Sequence, residues 1–98
     1  MVRIIIERHL RAGKQGELIH WLKELRTAAI HQPGYVSGET LASTEDVSII
    51  SVLSTWRSLE DWKRWEGSEQ RIKLEQQIKP LLLEMPKVRI YQVMATEE

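Results

Sequence analysis

The sequence predicts an α+β fold of the ferredoxin-like kind, ordered βαββαβ, with four antiparallel strands carrying two helices on one face. Three observations carry this expectation. Strand-length stretches rich in β-branched and aromatic residues occur at residues 2–10, 35–43, 47–56 and 87–95. The two long gaps between them hold apolar residues at helical spacing. Glycine and proline mark most junctions, at Ala12-Gly13, Pro33-Gly34, Gly67-Ser68 and Pro86.

Residues 2–10 form an isoleucine-rich strand that ends at the Ala12-Gly13 turn. From Lys14 the period changes: Leu18, Trp21, Leu22, Leu25 and Ala29 recur every three or four residues between charged neighbours, an amphipathic helix reaching about His31. Pro33-Gly34 ends it. The stretches 35–43 and 47–56, joined by the polar link Thr44-Glu45-Asp46, read as an antiparallel hairpin. Ser58 followed by Asp61 resembles a capping box and starts a second helix with Leu59, Trp62 and Trp65 on its apolar face. Gly67-Ser68 interrupts that helix, helical character resumes through Ile72 and Ile78 toward Pro80, and Pro86 frees the chain for a last strand containing Val88, Ile90 and Val93.

At 98 residues the chain has room for a single domain, residues 1–98. Acidic and basic residues balance at 14 each and are scattered. No electrostatic footprint for nucleic acid or for an anionic membrane results. Cysteine is absent, which removes disulfides, thiol catalysis and thiolate metal sites. The longest apolar runs, such as Ile4-Ile5-Ile6 and Leu81-Leu82-Leu83, are too short to span a bilayer, and the amino terminus carries no signal-like apolar stretch. A cytoplasmic protein is the resulting expectation.

Two helices cover one sheet face only, yet Ile4-Ile5-Ile6, Ile49-Ile50 and Val52-Leu53 place apolar groups on both. The second face needs a cover, and a homodimer pairing the open sheet faces supplies it.

Three of the four tryptophans fall within residues 56–65. Such a cluster marks a dense core corner or the wall of a pocket for a flat ligand. Trp56 at the strand end and Trp21 in the first helix read as structural; Trp62 reads as core packing with a ligand-platform alternative. Glu7 is solvated, paired with Arg8 or another cation, or faces a cavity; in the last case it is a candidate general base, with His9 beside it on the same strand face. Tyr35 anchors its turn or hydrogen-bonds a ligand. Glu75 and Gln76, with the charges Lys63, Arg64, Glu66, Glu69, Arg71 and Lys73, read as a solvated helix side. No phosphate-binding glycine loop, metal-spaced histidine pair or nucleophile elbow occurs in the sequence.

The run His31-Gln32-Pro33-Gly34-Tyr35-Val36-Ser37-Gly38-Glu39, the strand end Ser54-Thr55-Trp56-Arg57-Ser58, and Trp65 nine residues after Trp56 resemble the antibiotic biosynthesis monooxygenase domain superfamily. The resemblance covers nearly the whole chain. It implies a dimeric α+β barrel with a cavity between helices and sheet in each subunit, and Trp65 as a cavity wall. The superfamily includes cofactor-independent oxygenases of polycyclic phenols and quinols, haem-degrading enzymes, and members without demonstrated activity. In the haem-degrading branch the tryptophan works with an asparagine on the first strand and a histidine about ten residues after it; the corresponding positions here hold Glu7 and Glu75. No imidazole is then available as axial iron ligand at Glu75, which speaks against haem.

The function implied is a monooxygenase that needs no cofactor and acts on a small aromatic molecule, a phenol, quinol or polyketide-like compound. Glu7 or His9 would be the catalytic base, Trp65 and Trp62 the platform, and Tyr35 and Glu75 further substrate-binding residues. The alternative is a non-catalytic dimeric ligand-binding or stress-response protein of the same fold.

Overall fold

The computed structural model describes residues 1–97. Its elements are β1 (Val2–His9), α1 (Gln15–Ala29), β2 (Tyr35–Ala42), β3 (Ile49–Trp56), α2 (Leu59–Glu66), α3 (Glu69–Ile78), a 3-10 turn (Lys79–Leu81) and β4 (Lys87–Gln92). The strands form one sheet in the order β2-β3-β1-β4, each neighbouring pair antiparallel. This is the ferredoxin-like βαββαβ arrangement read from the sequence, with its second helix divided at Gly67-Ser68 into α2 and α3.

Local chemistry accounts for the joints. Gly13 takes a φ of 77°, in the left-handed region open to glycine, and turns the chain from β1 toward α1. In the β2–β3 link the Ser43 hydroxyl accepts from the Glu45 and Asp46 amides at 3.2 and 3.1 Å, and the Asp46 carboxylate accepts from the Ser48 amide at 2.9 Å. These are the side-chain turns that let a polar link close a hairpin. Ser58 caps α2 by accepting from the Asp61 amide at 3.1 Å, and Ser68 caps α3 by accepting from the Arg71 amide at 3.2 Å. Two caps ten residues apart make the chain start a helix twice, so the short α2 and α3 meet the sheet separately.

The register settles which side of each strand meets the helices. On β1, Val2, Ile4, Ile6 and Arg8 are buried and pair with Trp56, Ser54, Val52 and Ile50 of β3. Arg3, Ile5, Glu7 and His9 occupy the other face, opposite Thr55, Leu53, Ser51 and Ile49. Directly paired residues in an antiparallel ladder share a face, so this split runs across the whole sheet. The core lies under the helices in two adjoining clusters. One gathers Val2, Ile4, Ile6, Ala28, Ala29 and the three indoles of Trp56, Trp62 and Trp65. The other gathers Leu10, Leu18, Leu22, Ile50, Ile78, Leu81 and Leu82, with Trp21 packed partly buried against it.

The open face carries Ile5, Ile49 and Leu53, partly exposed, beside exposed Leu41 and Tyr91. Among the described residues no helix is long and apolar enough to cross a membrane.

Candidate active site

A cavity of about 80 Å³ lies where the two core clusters meet, between the helices and the sheet. The indoles of Trp56, Trp62 and Trp65 wall it together with Tyr35, Leu22, Leu25, Ile6 and Val52. The core-corner and pocket-wall readings of the tryptophan cluster therefore describe one structure, because the three indoles belong to the first core cluster and also line the cavity. The cap at Ser58 sets the phase of α2 that turns Trp62 and Trp65, three residues apart, toward the sheet. Trp56 meets Trp62 edge-on at 5.9 Å between ring centres and Tyr35 edge-on at 5.4 Å. Its indole nitrogen donates to the Ser54 hydroxyl at 3.2 Å.

Tyr35 owes its place to two glycines. Gly34, at φ 86°, makes the turn into β2, and its carbonyl accepts from the Arg57 amide at 2.8 Å, tying the start of β2 to the end of β3. Gly38 lies under the tyrosine ring: a Cβ there would stand 2.7 Å from the Tyr35 hydroxyl, so a side chain at this position would displace it.

The inner end of the cavity is charged. Arg8, on β1 between Ile6 and Leu10, is 1% exposed, and its Nη2 donates to the Glu75 carboxylate of α3. Arg71, one helical turn before Glu75, donates to the same oxygen at 3.3 Å and lies over the Trp62 ring with its guanidinium carbon 5.3 Å from the ring centre. Burial pulls the Arg8 guanidinium below the ordinary arginine range; the Glu75 carboxylate opposes that shift and the neighbouring Arg71 charge adds to it. Two residues that line the cavity each keep one buried donor without a hydrogen-bond partner, Arg8 Nε and Trp62 Nε1.

Trp65, Trp62, Tyr35 and Glu75 all line the cavity, which for Trp62, Tyr35 and Glu75 is the alternative to core packing, a turn anchor and a solvated helix side. Glu7 and His9 do not. Both lie on the open face of β1, and His9 sits 3.5 Å from Glu84. As candidates for a base inside the cavity they are corrected by the strand phase, which turns Arg8 inward in their place. Arg71 is likewise not on a solvated helix side; it is 13% exposed and bound to Glu75. Glu75 takes up two guanidiniums and presents no imidazole. Among the described residues no group of three histidine, aspartate or glutamate side chains is placed to hold a metal ion.

The signal for Arg8 is present in β1. Its even positions are apolar at Val2, Ile4 and Ile6 and again at Leu10, whereas the odd ones include Arg3, Glu7 and His9, so Arg8 is the one charge in the apolar phase.

An antiparallel sheet in the order β2-β3-β1-β4, with helices on one face and an aromatic cavity beneath them, defines a ferredoxin-like α+β domain with an internal cavity. The sequence profile of the antibiotic biosynthesis monooxygenase family matches residues 1–76, and the chain belongs to that family. Its fold is similar to that of Rv0793 from Mycobacterium tuberculosis, with a TM-score of 0.87 at 18% identity over 99% of this chain and 98% of that one. It is similar also to SnoaB, a cofactor-independent oxygenase from Streptomyces nogalater, with a TM-score of 0.82 at 13% identity over 97% and 95% of the two chains. Among curated proteins, Protein SchA from Streptomyces halstedii is 23% identical over 79 residues, 81% of this chain. The matched segment is 21% of that longer protein.

Proposed function

We propose that the chain is a cofactor-independent monooxygenase of a small phenol or quinol, acting in the cavity between helices and sheet. The observation that carries this reading is the composition of the cavity, three indoles and a tyrosine around a charged inner end, in a member of the antibiotic biosynthesis monooxygenase family. Flat aromatic walls suit a flat ring, and the charged end suits its oxygen substituents. The structural likeness to a cofactor-independent oxygenase supports the same chemistry.

Without a redox cofactor the substrate supplies all the electrons. An ionised phenol is electron-rich at its ring carbons; one oxygen atom of O2 ends as a new quinone carbonyl, the other leaves as water, and the phenol becomes a quinone. The protein's share is to orient the ring, exclude bulk water and stabilise the anion as it forms. Trp65 and Trp62 form the platform, Tyr35 offers a hydroxyl in the space that Gly38 leaves, and Glu75 holds the two arginines at the inner end. Glu7 and His9, on the opposite face, take no proton transfer in this scheme.

Size restricts the substrate. An apolar cavity of about 150 Å³ is known to hold benzene, so the roughly 80 Å³ here accepts one ring only if it also fills the mouth beside Arg26 and Thr40, both exposed. A single-ring substrate therefore fits this reading better than a fused polycycle.

The same reading includes a homodimer through the open sheet faces. Ile5, Ile49, Leu53, Leu41 and Tyr91 supply its apolar area, and Glu7 lies directly across from Lys87, so the face carries both charge signs and can complement itself across a twofold axis.

Oxygen consumption on a panel of hydroquinones and monophenols tests the activity. The expected result is uptake well above the buffer rate for at least one single-ring compound, lost on replacing Trp65 by alanine. Ring compounds that bind without any uptake would assign the protein to the non-catalytic ligand-binding alternative.

A further inference from the structure

The cavity has more hydrogen-bond donors than the protein uses. Arg8 and Trp62 are each 1% exposed, and each keeps one N–H without a partner, Nε in the first and Nε1 in the second. Buried donors are paired in the great majority of native sites, so two orphans around one space call for an acceptor inside it. Neither N–H reaches an acceptor of the protein. The Glu75 carboxylate is held by Arg8 and Arg71, and the Ser54 hydroxyl receives the Trp56 N–H.

Charge points the same way. Three arginines and two glutamates line the cavity, leaving one net positive charge. At its inner end two guanidiniums share one carboxylate, and Arg71 connects the pair to Trp62 by lying over its ring. An anion that parts the packing around these two closed N–H groups would meet donors held in place by the core.

We infer that Arg8 Nε and Trp62 Nε1, backed by the Arg71 guanidinium, form an oxyanion receptor, and that the substrate binds as its phenolate with the charged oxygen at these two donors. The inference rests on the reading of the cavity as a phenol or quinol site and specifies how that site selects its ligand. It also replaces the catalytic base. The phenol proton leaves to solvent through the mouth, and the receptor holds the ionised form that reacts, so neither Glu7 nor His9 is needed. Glu75 serves as counter-ion: it keeps both arginines in place and does not touch the substrate.

Binding of p-nitrophenol, followed by the visible absorption of its phenolate across a pH series, tests the receptor directly; p-nitroanisole serves as the neutral probe of the same shape. The expected result is phenolate binding about tenfold or more tighter than the ether, equivalent to a fall of about one unit or more in the nitrophenol pKa on binding. Trp62→Phe keeps the ring and removes one donor, and Arg71→Gln removes the backing charge; each should shrink the shift. The wild-type comparison needs neither variant to fold. Equal affinity for the two probes, an unshifted or raised pKa, a shift that both folded variants leave intact, or no binding of either probe overturns the inference. Oxygen uptake is read separately. Turnover of a hydroquinone with an unshifted nitrophenol pKa removes the receptor and leaves the oxygenase standing, whereas a lowered pKa without uptake on any hydroquinone does the reverse.

Discussion

Replacing Glu75 by glutamine should destabilise this domain far more than an ordinary helix substitution, because it takes the counter-ion from a buried cation. The Arg8 side chain is 1% exposed, so water cannot take over from the lost carboxylate. Arg71, at 13% exposure on the same side, remains as a like charge. Removing one member of a buried ion pair costs about 3–5 kcal/mol. Glu75 is itself 20% exposed, which lets some water reach the site and places this case at the lower end, about 3 kcal/mol. For a domain under 100 residues that corresponds to a fall in melting temperature of about 12 °C or more. Urea unfolding followed by tryptophan fluorescence, at one fixed protein concentration because dimerisation would add to stability, measures the loss. The double variant Arg8→Met with Glu75→Gln should recover most of it, since methionine fills the space without a charge. A cost for Glu75→Gln below about 1 kcal/mol, or a double variant no more stable than the single one, would refute the buried-cation reasoning.

Gly34→Ala should lower stability by at least about 1 kcal/mol, because it forces a side chain into the left-handed region at φ 86° and drives its Cβ into the Asp61 carboxylate; thermal unfolding beside Gly16→Ala, where a Cβ meets nothing within 4 Å, checks it. Leu53→Asp, on the open face, should convert the proposed homodimer to a monomer at micromolar concentration by light scattering while leaving the helix-side core intact. A parent protein already monomeric under those conditions would overturn the homodimer.

The element order was legible because each boundary depends on local chemistry. Helical spacing from Leu18 to Ala29, the serine cap at Ser58, the break at Gly67-Ser68 and the polar hairpin link all act through neighbours in the chain. Trp65 lines the cavity for a related reason: the resemblance that named it as a wall depends on motif positions along the same elements, whereas Trp62, Tyr35 and Glu75 line it although each read first as core packing, a turn anchor or a solvated helix position. Glu7 and His9 failed on a different kind of information. A strand with Ile4, Ile5 and Ile6 in succession is apolar on both sides, and a one-residue error of phase exchanges Glu7 and His9 for Arg8. Arg71 was misread because a charge on an amphipathic helix is usually solvated; only its approach to Glu75 and Trp62 makes it part of the site.

The sequence by itself determined the fold class, the absence of thiol chemistry and the aromatic character of the site, since composition and periodicity act locally and survive any placement of the elements. Tertiary structure decided which face of β1 meets the helices, and with it that an arginine pair bridged by Glu75 occupies the inner end of the cavity. Arg8 and Glu75 are 67 positions apart in the chain. Their pairing depends on how β1 and α3 pack across the core, a relation that neither segment's own pattern contains.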